Sequence, residues 1–144
     1  MHFRDTSALV NLYVSEPDSL QFVAHLAATG PATSSELARW EILRAFARKE
    51  ADKVITTGAA ETVFAKFSAD VASGRITFLP MNGDTEDHFR KLTLMLHRLT
   101  PPLFTRTLDA IHLATAQLHQ AVELVATDVN LRKCAVAVGL KIFP

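Results

Sequence analysis

Four acids in this chain stand where carboxylates could do chemistry together. Asp5 closes a short run at about residues 2–5 and opens a helix. Asp128 follows the run Val122–Thr127 in the same way. Glu41 lies between Trp40 and Ile42, and Asp109 between Leu108 and Ala110, each bordering the apolar stripe of a helix. A carboxylate buried without a partner is costly. Clustered carboxylates also repel, which raises their pKa values. A divalent cation resolves both problems, and oxygen-only ligands suit Mg²⁺ or Mn²⁺ rather than zinc. Taken singly the acids have plainer uses. Asp5 before Thr6-Ser7, and Asp128 before Val129-Asn130, could simply cap helices, while Glu41 and Asp109 could be solvated.

The elements around these acids read as alternating strands and helices. Strands are expected at about 2–5, Gly30–Thr33, Arg75–Leu79, Val122–Thr127 and Leu140–Phe143. Helices are expected over Ser7–Val14, Ser35–Glu50, Thr56–Ser73, Asp84–Leu99, Thr105–Gln120 and Asn130–Val138. Ser34 or Ser35 is the expected cap of the Ser35–Glu50 helix, with Leu37, Trp40, Leu43 and Ala47 as its core stripe. Gly139 is the expected glycine after the last helix. The alternation implies a mainly parallel sheet covered on both faces, and ligands bind such sheets at the carboxyl ends of their strands.

Composition excludes several classes. The chain has 144 residues, is 49% hydrophobic and 21% charged, and is not a disordered chain. One cysteine, Cys134, makes no internal disulfide and is expected as a small buried hydrophobe. The start Met1-His2-Phe3-Arg4-Asp5 lacks the apolar run of a signal peptide, and no stretch reads as a membrane span, so a cytoplasmic protein is expected. There is no glycine-rich phosphate loop and no Gly-x-Ser-x-Gly elbow. None of the six histidines has His-Glu-x-x-His spacing. His112, one turn after Asp109, is expected to pack or hydrogen-bond near the acids. Trp40 and the nine Phe are expected in the core. Formal net charge is zero, but without the four acids the 15 basic residues face 11 acidic ones, a surplus of four. That surplus is compatible with attraction of a polyanion to the rim of an acidic pit. Arg44 and Arg106 share helix faces with Glu41 and Asp109, and each either meets a phosphate or pairs with its acid.

At these acids the sequence resembles the PIN-domain ribonucleases, most of all the VapC toxins of bacterial toxin–antitoxin pairs. The matching segments are Asp5–Pro17, Ser34–Ala45, Leu108–Ala116 and Leu124–Asp128 through to Ala137-Val138-Gly139-Leu140, in family order along nearly the whole chain. Arg4 stands where an aliphatic strand residue is usual, and Asn11 where Lys is common. The resemblance implies one PIN domain over 1–144, a three-layer α/β/α fold with a central, mainly parallel five-stranded sheet. It implies Asp5, Glu41, Asp109 and Asp128 as a catalytic, metal-binding quartet for Mg²⁺ or Mn²⁺, supported by Thr6 and Ser7, with Asn130 as a further ligand or support. It also implies metal-dependent endoribonuclease activity, a VapB-type antitoxin and a homodimer. The competing expectation is a catalytically silent PIN-like module that binds RNA or protein.

Overall fold

The computed structural model describes residues 1–144. Five short strands alternate with helices: β1 (His2–Arg4), α1 (Thr6–Val10), α2 (Ser19–Thr29), β2 (Ala32–Ser35), α3 (Ala38–Ala51), α4 (Ala59–Ala72), β3 (Ile76–Leu79), α5 (Gly83–His97), α6 (Thr107–Leu118), β4 (Glu123–Val125), α7 (Val129–Ala137) and β5 (Lys141–Phe143). The sheet order is β3-β2-β1-β4-β5 and every pairing is parallel. The first strand therefore lies at the centre. Its register against β4 sets His2 opposite Glu123, Phe3 opposite Leu124 and Arg4 opposite Val125.

Each face of the sheet has its own core. Phe3 and Leu124 point to one side and pack with Leu92, Leu96, Leu113 and Leu131 of α5, α6 and α7. On the other side Ala32 and Ile76 meet Leu9, Ile42, Phe46 and Phe67 of α1, α3 and α4, while Val125 meets Phe22 of α2. The three-layer α/β/α architecture follows. Parallel strands with helices on both faces are buried through most of the sheet, and exposure is confined to Thr77 of β3 and Lys141 of β5, the two edge strands. Cys134 is fully buried in the first of these cores, as its type suggests. Gly139 has a φ of 86°, and the Leu140 N–H reaches back to the Ala135 carbonyl to end α7. No helix is long and apolar enough to cross a membrane.

Several expectations need correction. β2 runs two residues beyond Thr33, because Ser34 and Ser35 are buried strand residues and not helix caps. The next helix starts at Ala38, after Leu37, with no side-chain cap. Its inward stripe is Ala38, Ile42 and Phe46, while Trp40 is 78% exposed and Leu43 is also on the surface. The helix starts three residues later than expected, and the face it turns to the sheet is the one spaced i, i+4 through Ala38, Ile42 and Phe46. Phe104 likewise lies on the surface, not in the core. The first helix stops at Val10, short of Val14, and α2, a helix of 11 residues, was not expected at all.

Candidate active site

The four acids sit at helix starts. Asp5 is the N-cap of α1 and accepts the Ala8 N–H at 2.9 Å. Asp128 is the N-cap of α7 and accepts the Leu131 N–H at 2.8 Å. Glu41 lies in the first turn of α3, and Asp109 in the first turn of α6. A helix start carries partial positive charge and unpaired N–H groups, so it tolerates a carboxylate that the surroundings would reject. Because all strands are parallel, the helices that follow β1, β2 and β4 begin at one edge of the sheet. Asp5 and Asp128 are caps, as their types allow, and they and Glu41 lie at the starts of helices that follow strands, while Asp109 starts α6 after α5.

Two bridges gather the acids. The Arg106 Nε donates to Asp109 Oδ2 at 2.7 Å, and its Nη2 lies 3.7 Å from Asp128 Oδ2. The second bridge is His112, 1% exposed, whose Nε2 lies 2.6 Å from Glu41 Oε2 and 3.3 Å from Thr6 Oγ1. Its Nδ1 is 3.0 Å from Ser35 Oγ. With a proton on Nε2 the ring donates to Glu41 Oε2, and Nδ1 meets the Ser35 hydroxyl. Thr6 Oγ1 also donates to Glu41 Oε2, at 2.5 Å. Ser7 Oγ donates to Asp5 Oδ1 at 2.7 Å and accepts the Thr127 N–H at 3.1 Å, tying the end of β1 to the loop after β4. A cleft alongside is lined by Thr6, Ser7, Asn11, Thr127 and Lys49, the last paired with Glu16.

The acids are not equally at ease. Burial pushes Asp5 up to about 6, against the lowering effects of the Ala8 N–H, the His112 charge and Ser7; the charge of Asp109 adds to the rise. Burial alone would also raise Glu41. Hydrogen bonds from His112 and Thr6, and the charges of His112 and Arg106, outweigh it and hold Glu41 below the usual carboxylate range. No three of the four acids bring oxygens within 4.8 Å of one another; the grouping that compact is His2, His25 and Glu123. Like charges keep the acids apart, and the Arg106 guanidinium stands as the cation between two of them. The donors that surround this space are carboxylate and hydroxyl oxygens, which fit a hard divalent cation such as Mg²⁺ or Mn²⁺.

The remaining expected residues divide. Thr6 and Ser7 reach the acids as described. Asn130 is exposed and makes no hydrogen bond to them. Arg44 is exposed and forms no ion pair with Glu41, whereas Arg106 pairs with its acid. Asn11 is buried, donating from its side-chain amide to the Ser7 carbonyl and accepting from Ser19 Oγ. Ser35 was missed as a functional neighbour, because its partner His112 is 77 positions away.

Residues 3–137 match the family model of the PIN domain, and the chain belongs to that family. No curated protein matches the sequence. Among solved structures, FitAcB from Neisseria gonorrhoeae superposes with a TM-score of 0.71 at 15% identity, over 100% of this chain and 97% of that one. VapBC2 from Rickettsia felis, bound to a DNA fragment from its promoter, gives 0.68 at 15% identity, over 99% and 96%. VapC20 of Mycobacterium tuberculosis, a toxin that cleaves the sarcin–ricin loop, gives 0.66 at 16% identity, over 100% of both chains.

Proposed function

We propose that this protein is a VapC-type toxin, a metal-dependent endoribonuclease acting in the cytoplasm and held in check by a VapB-type antitoxin. The observation that carries the reading is the cation demanded at the carboxyl edge. A guanidinium spans Asp109 and Asp128, and buried Asp5 is left with a raised pKa beside them. The family and the toxin–antitoxin setting of the structural neighbours support the same reading. The reading includes one PIN domain over 1–144 and a homodimer, both implied by the resemblance of the sequence.

Asp5, Asp109 and Asp128 would hold Mg²⁺ or Mn²⁺. When bound, the ion supplies a water of lowered pKa and stabilises charge on the phosphate. Ser7 fixes the Asp5 carboxylate. Glu41, kept ionised and held by Thr6 and His112, orients the attacking water and receives its proton. Arg106 exchanges its carboxylate partners for a phosphate of the RNA, and its 77% exposed side chain is free to make that move. Arg44, on the outside of α3, contributes a second basic contact.

The alternative is a silent binding module, favoured by one observation: Arg106 already neutralises two of the acids without a metal. Incubation of the purified chain with total RNA, Mn²⁺ or Mg²⁺, and then excess EDTA separates the two. Metal-dependent fragments that disappear in Asp109→Asn support the nuclease. A folded, antitoxin-free chain that leaves RNA intact in both metals overturns it.

A further inference from the structure

At the amino end of β1, opposite the acids, lies a second polar cluster that the nuclease does not use. His2 begins β1, Glu123 begins β4, and His25 projects from α2 onto the same face of the sheet. His2 Nδ1 lies 2.8 Å and His25 Nε2 2.7 Å from Glu123 Oε2. These three ligand atoms all fall within 4.8 Å of one another. Phe143 of β5 stacks on the His25 ring at 4.0 Å, fixing its orientation. Both imidazole nitrogens are directed at the same carboxylate oxygen, which brings the three donor atoms together at one spot.

We propose that His2 Nδ1, His25 Nε2 and Glu123 Oε2 form a Zn²⁺ site, separate from the acidic quartet. Two imidazoles and one carboxylate suit a borderline transition ion and not Mg²⁺. Tetrahedral zinc with bonds of about 2.1 Å sets its ligands roughly 3.4 Å apart. The two contacts to Glu123 Oε2, now 2.8 and 2.7 Å, must therefore open by roughly 0.6–0.7 Å, within reach of small rotations of Glu123 and His2. The side chain of His2 is 33% exposed, so the fourth position opens to water. Both rings change tautomer on binding. For His2 the proton moves to a nitrogen near solvent. For His25 it moves to Nδ1, which faces Arg4 Nη2 at 3.4 Å. Zinc binding thus costs that long contact, while Arg4 keeps its 2.7 Å bond to Thr29 Oγ1. The nearby guanidinium also opposes the ion, so binding is weaker than in a four-ligand structural site.

The test is a Zn²⁺ calorimetric titration of the full chain beside Asp5→Asn, His2→Ala and Glu123→Gln, with circular dichroism to confirm folding. The expected result is one Zn²⁺ site shared by wild type and Asp5→Asn, weakened at least about tenfold in the other two. Mg²⁺ in excess does not displace it. The proposal is overturned if Asp5→Asn removes all zinc binding, or if His2→Ala binds zinc like the wild type. His2→Ala decides the matter should Glu123→Gln not fold, since His2 is at the partly exposed edge of the cluster.

Discussion

The two ends of β1 handle charge in opposite ways. At the carboxyl end, Asp5 is buried among other acids and driven up to about 6. At the amino end, Glu123 is also partly buried, yet the hydrogen bonds and charges of His2 and His25 outweigh that burial and lower its pKa. Arg4, 1% exposed in the middle of the sheet, completes the second set through His25, Thr29 and the His2 carbonyl. Burial works against its charge, and the nearby Glu123 carboxylate works for it. The same strand thus carries a satisfied polar network at one end and an unsatisfied one at the other. Uncompensated charge held by a rigid frame can take up a cation directly, whereas the amino-end network must open its hydrogen bonds before an ion can enter.

Breaking the two ends should therefore have different consequences. Asp109→Asn is expected to lower RNA cleavage on the order of 1000-fold, with the melting temperature held, as read by fragment yield and circular dichroism. Glu123→Ala is expected to do the reverse. It leaves His2 and His25 without their shared acceptor and removes a charge that favours Arg4, at a cost of about 3 kcal/mol in urea unfolding, while residual folded protein keeps its turnover. His112→Gln tests positioning of Glu41. It should lower kcat about 10–100-fold with KM little changed, and an equal loss in KM would contradict that role.

Asp5→Asn sharpens the contrast through pH. The folded pKa of Asp5 is raised above its ordinary value of 3.8, so the fold takes up its proton before the unfolded chain does. Lowering pH through the interval from about 6 to 3.8 therefore stabilises the wild type by this group. Asp5→Asn should be more stable than wild type by about 3 kcal/mol at pH 7.5, and most of that advantage should be gone near pH 4. Glu123 has the opposite sign, since its folded pKa is lowered from 4.5. Its contribution is present above that value and is lost as pH falls through the folded one. The smallest effect is expected for Trp40→Gln, within about 0.5 kcal/mol of wild-type stability. A larger loss would show that the exposed indole packs against more than the monomer displays.

How much of this was legible in the sequence depended on whether the signal was local. The acids at 5, 41, 109 and 128 stood out because each carboxylate interrupts or closes an apolar pattern, and the alternation of elements sends them to one edge. The inward stripe of α3 was misread because Trp40 looks like core by size, while the buried pair Ser34-Ser35 looks like a cap by type. The setting of Ser35 depends on His112, far along the chain. The second polar cluster gave no signal at all. His2 and Glu123 are 121 positions apart, and only the parallel register of β1 against β4 brings them together. Arg4 looked like a departure from an aliphatic position, whereas the fold supplies it with acceptors from α2.

The central place of β1 also governs when activity can arise during synthesis. The first strand made waits for β2 on one side and for β4 on the other, and β4 begins only at Glu123. Chain growth proceeds at about 5–20 residues per second, so the ribosome must add more than a hundred residues before β1 gains its second neighbour. Asp128 follows later still. A nascent chain therefore carries Asp5, Glu41 and Asp109 before the strand that leads to Asp128 exists, and the site described above cannot assemble until β4 has been made.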